Sequence, residues 1–189
     1  MRALAALAIA LAACSGAAPA AREAVVDSAA SIDTLLGRFR NGLERPAGFT
    51  GGAASRDALV RRFVQAAEQA DSAALRDLAL TRAEFAWLYY PSLPEAAPPY
   101  ELDPQLMWFM IETNSGRGLR TLLEERGGRP LRFVDYACEG ERQAGANTIW
   151  GPCIIRRLQV PGDTVGEVLF GPLVRLGGRF KLVSFANGL

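Results

Sequence analysis

Histidine is absent from this chain of 189 residues, and lysine occurs once, at Lys181. Without imidazole there is no Ser-His or Cys-His nucleophile pair, no His-ligated metal and no imidazole acid or base. The other 20 basic residues are arginine, and alanine, glycine and proline are abundant. That pattern reads as GC-rich codon usage, so arginine number carries little functional information. The 21 basic and 20 acidic side chains leave a formal charge of +1. Neither the total nor any local basic run supplies an electrostatic footprint for nucleic acid. The longest apolar run, Ala3 to Ala13, is too short to span a bilayer. The length suits one domain with a real core.

That apolar run follows Met1-Arg2 and ends in Leu11-Ala12-Ala13-Cys14-Ser15-Gly16. A short basic start, an apolar core and small residues before a cysteine have the form of an export signal. The segment resembles the lipobox of bacterial lipoproteins. The resemblance implies that residues 1–13 are a signal peptide and that Cys14 becomes the acylated N-terminus. It also implies a lipid-anchored cell-envelope protein, with acyl chains holding it at a membrane. Ser15, in place of Asp, resembles the pattern that sorts such proteins to the outer membrane, facing the periplasm. Removing Arg2 with the leader leaves 20 basic and 20 acidic side chains. Residues 14–27 are small and Ala-rich and read as a tether spanning roughly 20 Å.

With Cys14 set aside, Cys138 and Cys153 remain. An even pair in an exported chain is most simply a disulfide. Metal or redox roles would need further ligands or a Cys-x-x-Cys spacing. The bond would close a polar stretch, Glu139 to Pro152, that reads as a long hairpin loop, contributing about 3 kcal/mol in the chain-entropy account.

Ile32, Leu35, Leu36, Phe39 and Leu43 recur at helical spacing, so residues 28–43 are expected to form an amphipathic helix. Pro46, Gly48, Gly51 and Gly52 mark a loop and a boundary, with the main domain over 55–189. Ser55 caps a second helix reaching about Ala70, and Asp71 or Ser72 starts a third. Thr81-Arg82-Ala83-Glu84 is a capping box opening a turn or two that Pro91 stops. Residues 91–104 hold five prolines and should form an extended loop. Asp103-Pro104 is a helix start. Gln105 to Thr113 is apolar on every side and should be buried, with a separate short helix through Leu119, Leu122 and Leu123. Strand-like runs follow over about 131–138, 153–160, 164–174 and 179–186, with turns at Pro161-Gly162 and Gly177-Gly178. Helices first and strands afterwards predict an α+β domain, with helices on one face of a curved antiparallel meander.

This order resembles the nuclear transport factor 2-like superfamily, called SnoaL-like when enzymatic. The resemblance is carried by Leu59-Val60-Arg61-Arg62-Phe63-Val64-Gln65-Ala66, Asp71-Ser72-Ala73-Ala74-Leu75 and the closing strand Gly178-Arg179-Phe180-Lys181-Leu182-Val183-Ser184-Phe185. It implies a cone-like fold over about 55–187. Its enzymatic form implies carboxylate acid–base chemistry, with Asp135 as base and Tyr136 or Tyr90 polarising a carbonyl.

If Cys138 faces Cys153, facing residue numbers sum to 291 and Asp135 faces Arg156. The next turn then sets Arg157 opposite Glu167. Alternation groups Asp135 and Arg156 with Leu131, Phe133, Ile154, Leu158 and Phe170. The two charges would be a paired core feature or the polar end of a pocket. Trp87, Tyr89, Tyr90, Tyr100 and Trp108 form a cluster around the Pro-rich loop, either core or an apolar cleft. Asn114-Ser115-Gly116-Arg117-Gly118 lacks the lysine and preceding strand of a phosphate loop and reads as a helix-to-helix turn. Lys181 reads as a solvated strand residue, with Ser184 too far along to face the same way. No cofactor or metal is expected. The favoured reading is a non-catalytic domain binding a protein partner or small apolar ligand near the membrane, with a SnoaL-like enzyme as the alternative. A purely architectural envelope subunit would show itself by a large exposed apolar patch.

Overall fold

The computed structural model describes residues 30–189. The leader, Cys14 and the expected tether lie outside that range. Helix α1 covers Ile32–Arg40, inside the expected 28–43, and starts where the Ser31 side chain accepts from the Thr34 amide. Helix α2 is Arg56–Glu68, capped by Ser55, and α3 is Ser72–Leu78, capped by Asp71. The capping box forms: the Thr81 side chain accepts from the Glu84 amide and Glu84 returns the bond, opening the short α4, Arg82–Glu84. A π-helical stretch, Phe85–Tyr89, and 3-10 turns at Tyr90–Ser92 and Pro94–Ala96 carry the chain through the prolines.

Helix α5 runs unbroken from Pro104 to Arg126. This corrects the expectation of two helices joined by a turn at 114–118. Gly118 is helical because the helix packs directly on backbone: a Cβ there would stand 1.8 Å from the Phe185 carbonyl oxygen. The glycine thus answers a close approach, and the helix absorbs its propensity cost of about 1 kcal/mol.

Seven strands follow: β1 Phe133–Cys138, β2 Glu141–Ala144, β3 Asn147–Trp150, β4 Cys153–Val160, β5 Asp163–Glu167, β6 Leu173–Leu176 and β7 Arg179–Leu182. They form two antiparallel sheets, ordered β1-β4-β5 and β2-β3-β6-β7. The class is therefore α+β. The two sheets are bent halves of one meander. Its first ribbon is β1 then β2, its second β3 then β4, its third β5 then β6, and β7 closes it. The sum of 291 holds from Asp135↔Arg156 through Cys138↔Cys153 to Ala144↔Asn147. Across the bend, Glu139 donates to the Pro152 carbonyl and Gly151 donates to that of Glu139, both at 2.9 Å. The stretch 139–152 is thus a second hairpin, turning at Gly145-Ala146, where a long loop was expected. Cys138 and Cys153 form a disulfide at the bend.

Two apolar clusters hold the layers. The first joins α2, α3 and the second half of α5 to Cys153, Ile155, Trp150, Leu173 and Leu182. The second gathers Phe39, Phe85, Tyr89, Tyr90 and Trp108 with Ile149, Val174 and Val183. Neighbouring residues of β3 and β6 divide between the clusters, and strand side chains alternate in direction. The four-stranded sheet is therefore covered on both faces at its centre, where all four residues of β3 are buried, while Glu141 to Gln143 of β2 stay exposed at its edge. The three-stranded sheet keeps an open outer face with Val134, Arg156 and Leu158 exposed.

The second cluster encloses a buried ion pair that corrects the reading of Lys181 as solvated. Lys181 on β7 donates to Oε2 of Glu84 at 2.8 Å. The same carboxylate accepts from the Thr81 amide at 2.8 Å, the Thr50 amide at 2.7 Å and the Thr50 hydroxyl at 3.1 Å. With four donors its lone pairs are filled, which is what a charge needs in the interior. The bonds tie the loop before α2 to the body, as does Ala53, which exchanges backbone hydrogen bonds with Phe180.

Candidate functional site

The sequence singled out Asp135 and Arg156 first. They do face each other, and Nε and Nη2 of Arg156 donate to the two carboxylate oxygens. The pair lies on the solvent side, with both side chains close to half exposed, so the expected apolar setting is corrected. A bulge between Phe133 and Asp135 is the reason. The extra residue, Val134, reverses the alternation, so Phe133 packs against the core while Asp135 turns outward. Leu131 and Phe170 are buried elsewhere in the first cluster.

Tyr136 donates to Oδ1 of Asp57 on α2 at 2.6 Å. Burial, and then that hydrogen bond, push its phenol up to about 12. Asp57, Arg61, Phe133, Val134, Asp135 and Tyr136 border a shallow depression of about 190 Å³. The carboxylate and phenol needed for acid–base chemistry therefore share a rim, but each is already engaged: Asp135 by Arg156 and Tyr136 by Asp57.

The second β-turn corrects another register. Arg157 faces Val165, and Glu167 faces Ile155. The pairing is displaced by two residues from that expected, one because the turn closes between Val160 and Asp163 and one through a shift between Leu158 and Val160. Arg157 still reaches Glu167 diagonally, donating at 2.8 and 2.6 Å, and Arg126 at the end of α5 donates to the same carboxylate at 3.3 and 2.9 Å. The Arg157 bonds foremost, and then those of Arg126, overcome burial and hold Glu167 down at about 2. This triad fastens helix to sheet.

Most of the aromatic set is core. Tyr89, Tyr90 and Trp108 are buried, and Phe85 lies between them, 5.3 to 6.2 Å from each ring. The Tyr90 hydroxyl donates to the Leu102 carbonyl at 2.6 Å. Burial pushes the Tyr89 phenol up to about 12 and raises that of Tyr90. Trp87 sits at the margin, with the Arg40 guanidinium 4.1 Å from its ring centroid. Trp108 also borders a groove of about 280 Å³ between α3 and α5, with Arg76, Leu80, Glu112, Leu119 and Phe185. Tyr100 stands in solvent, which removes it from the cluster.

The feature that sequence reasoning missed is on α5. The helix was expected to be buried all round, yet Leu106, Phe109 and Met110 are exposed. The core takes only one side, through Trp108 and, further along, Leu119 and Leu122. Leu102, just before the helix, is also exposed and lies beside Met110, and Tyr100 is exposed two residues earlier. A depression of about 290 Å³ lined by Leu102, Met107, Met110, Ile111, Ser184 and Ala186 flanks this side of the helix. The all-round apolar run was the available signal, since a helix covered on one side leaves the rest of such a run outside.

Among the described residues no cluster of three or more metal-ligating side chains occurs, and no helix is long and apolar enough to cross a membrane. No protein-family model, curated protein or solved structure matches the chain.

Proposed function

We propose that the protein is a lipid-anchored domain of the cell envelope, held through Cys14, that works by binding rather than by catalysis. The outward face of α5 carries this reading. Exposed Leu106, Phe109 and Met110 on one helix side, with Leu102 beside Met110, mark a surface meant to be covered. The lipobox residues Leu11 to Cys14 support the anchor and an outer-membrane, periplasm-facing address. The disulfide between Cys138 and Cys153 suits an oxidising compartment. The nuclear transport factor 2-like reading rests on element order, helices first and a four-ribbon meander last. The SnoaL-like alternative finds less support, because Asp135, its base, is held by Arg156 on the solvent side.

Two substitutions test the proposal in the full-length chain expressed in a bacterial envelope. Cys14→Ala should leave the chain unacylated and move it out of the membrane fraction. L106E/F109E should retain acylation and fold but lose the cross-links, to lipid or to protein, that the wild-type domain makes at α5. Unchanged fractionation of the first variant would overturn the anchor. Unchanged cross-linking of the second would overturn the binding face.

A further inference from the structure

The occupant of the α5 face can be argued from its composition, its size and the place where the chain enters the domain. Leu106, Phe109 and Met110 follow the i, i+3, i+4 spacing of one helix side. They are 56%, 61% and 54% exposed, with Tyr100 at 62% and Leu102 at 44%. Together the five present roughly 500 Å² of side-chain surface, above scattered single residues and below the ~800 Å² per partner that a stable dimer needs.

Helix α1 packs against α5, and its nine residues span only about 14 Å. The chain therefore enters the described domain close to the face. Seventeen residues separate Cys14 from Ile32, which even fully extended reach no more than about 60 Å. An acylated Cys14 would hold the face at the bilayer surface, where a weak apolar contact becomes effectively intramolecular. The charges that flank the face in sequence are Glu101, Asp103 and Glu112, with Arg117 and Arg120 further along α5. No basic cluster is present to seek anionic lipid.

We propose that the α5 face, Tyr100 to Met110, is a second membrane contact, seated in the interfacial region of the bilayer that carries the Cys14 anchor. This rests on the anchor reading above. Leu and Phe with a neighbouring Tyr are the side chains that partition to that depth. Contact at two points, lipid and helix, fixes the orientation of the domain on the membrane and turns the open outer face of the three-stranded sheet elsewhere.

The test uses the full-length acylated protein in phosphatidylcholine vesicles containing a lipid with a photoactivatable diazirine on its acyl chain. After irradiation, labelled peptides are mapped by mass spectrometry. Label is expected on residues 100–113, and L106E/F109E should reduce it about tenfold without changing the thermal midpoint. Adding a minor fraction of anionic lipid should change it less than about twofold. Label confined to the N-terminal segment would overturn the proposal. So would equal label around Val160, an exposed apolar residue on the sheet, or residues 100–113 cross-linked instead to another protein or a second copy. The mass of the Cys14 peptide reports acylation separately, so a failed anchor and a failed face give different spectra.

Discussion

The Glu84 carboxylate and the Lys181 ammonium meet at 2.8 Å in the interior, with 1% and 2% of their side chains exposed. They bring together a helix start and a strand 97 residues apart. Removing one partner leaves the other charge buried and unmatched, which costs about 3–5 kcal/mol. Lys181→Met should therefore unfold at much lower urea than the native protein. The double variant E84Q/K181M should recover part of the loss: the charge goes with its partner, while the Gln NH2 group faces one of the two backbone amides that the carboxylate accepted from. A double variant no more stable than K181M would show that the pair is not what makes Lys181 matter.

Acid should weaken the Glu167 triad, which joins β5 to Arg157 on β4 and to Arg126 at the end of α5. Glu167 titrates at about 2, below its ordinary 4.5, chiefly because of the Arg157 hydrogen bonds. A carboxylate lowered in the folded state contributes stability that is full above its unfolded pKa and is lost as pH falls through the folded value. The contribution should fade between about pH 5 and pH 2, and amounts to about 2–3 kcal/mol at neutral pH. E167Q should lose that stability at pH 7 and show a flatter urea midpoint across the acid range. Parallel curves for the two proteins would contradict the assignment.

Gly116 and Gly118 should respond oppositely to alanine. A Cβ on Gly116 meets nothing within 4 Å, whereas one on Gly118 strikes the Phe185 carbonyl. Gly116→Ala should gain up to about 1 kcal/mol of helix propensity. Gly118→Ala forces backbone apart and should lower the thermal midpoint sharply or prevent folding. Were residues 114–118 a turn instead, the first substitution would be harmful.

Reducing the Cys138–Cys153 bond releases a cross-link spanning 15 residues. The expected loss is about 3 kcal/mol in the chain-entropy account, read as a lower urea midpoint in reductant with the far-ultraviolet spectrum retained. C138S/C153S should reproduce it. A midpoint indifferent to reductant would mean that the thiols are not joined in the native protein.

What was legible in the sequence was local chemistry. Ser55, Asp71, Thr81 with Glu84, and Asp103 with Pro104 mark helix starts because side chain and backbone settle those within four residues. The Cys138–Cys153 pairing was legible for a similar reason, since one facing pair indexes a whole antiparallel ribbon. Most of the misses required knowing what lies opposite. Gly118 looks like a turn residue until the Phe185 carbonyl is beside it. Lys181 looks solvated until both faces of its sheet prove covered, and Asp135 changes sides through the single extra residue Val134. The α5 run shows apolar character, and only the packed domain shows which third of it the core occupies. The β2–β3 hairpin was hidden by its short strands and by the polar Glu141-Arg142-Gln143 segment.

The bend in the meander restricts how the chain can change length. The first ribbon spends Glu139 and Gly140 on it, and the second spends Gly151 and Pro152, so the register entering the bend leaves it unchanged. Because strand faces alternate with every residue, one residue inserted at either side alone would turn Ala144 and Ile149 away from the cores they fill. Insertions and deletions here can survive only as matched pairs, one in each ribbon.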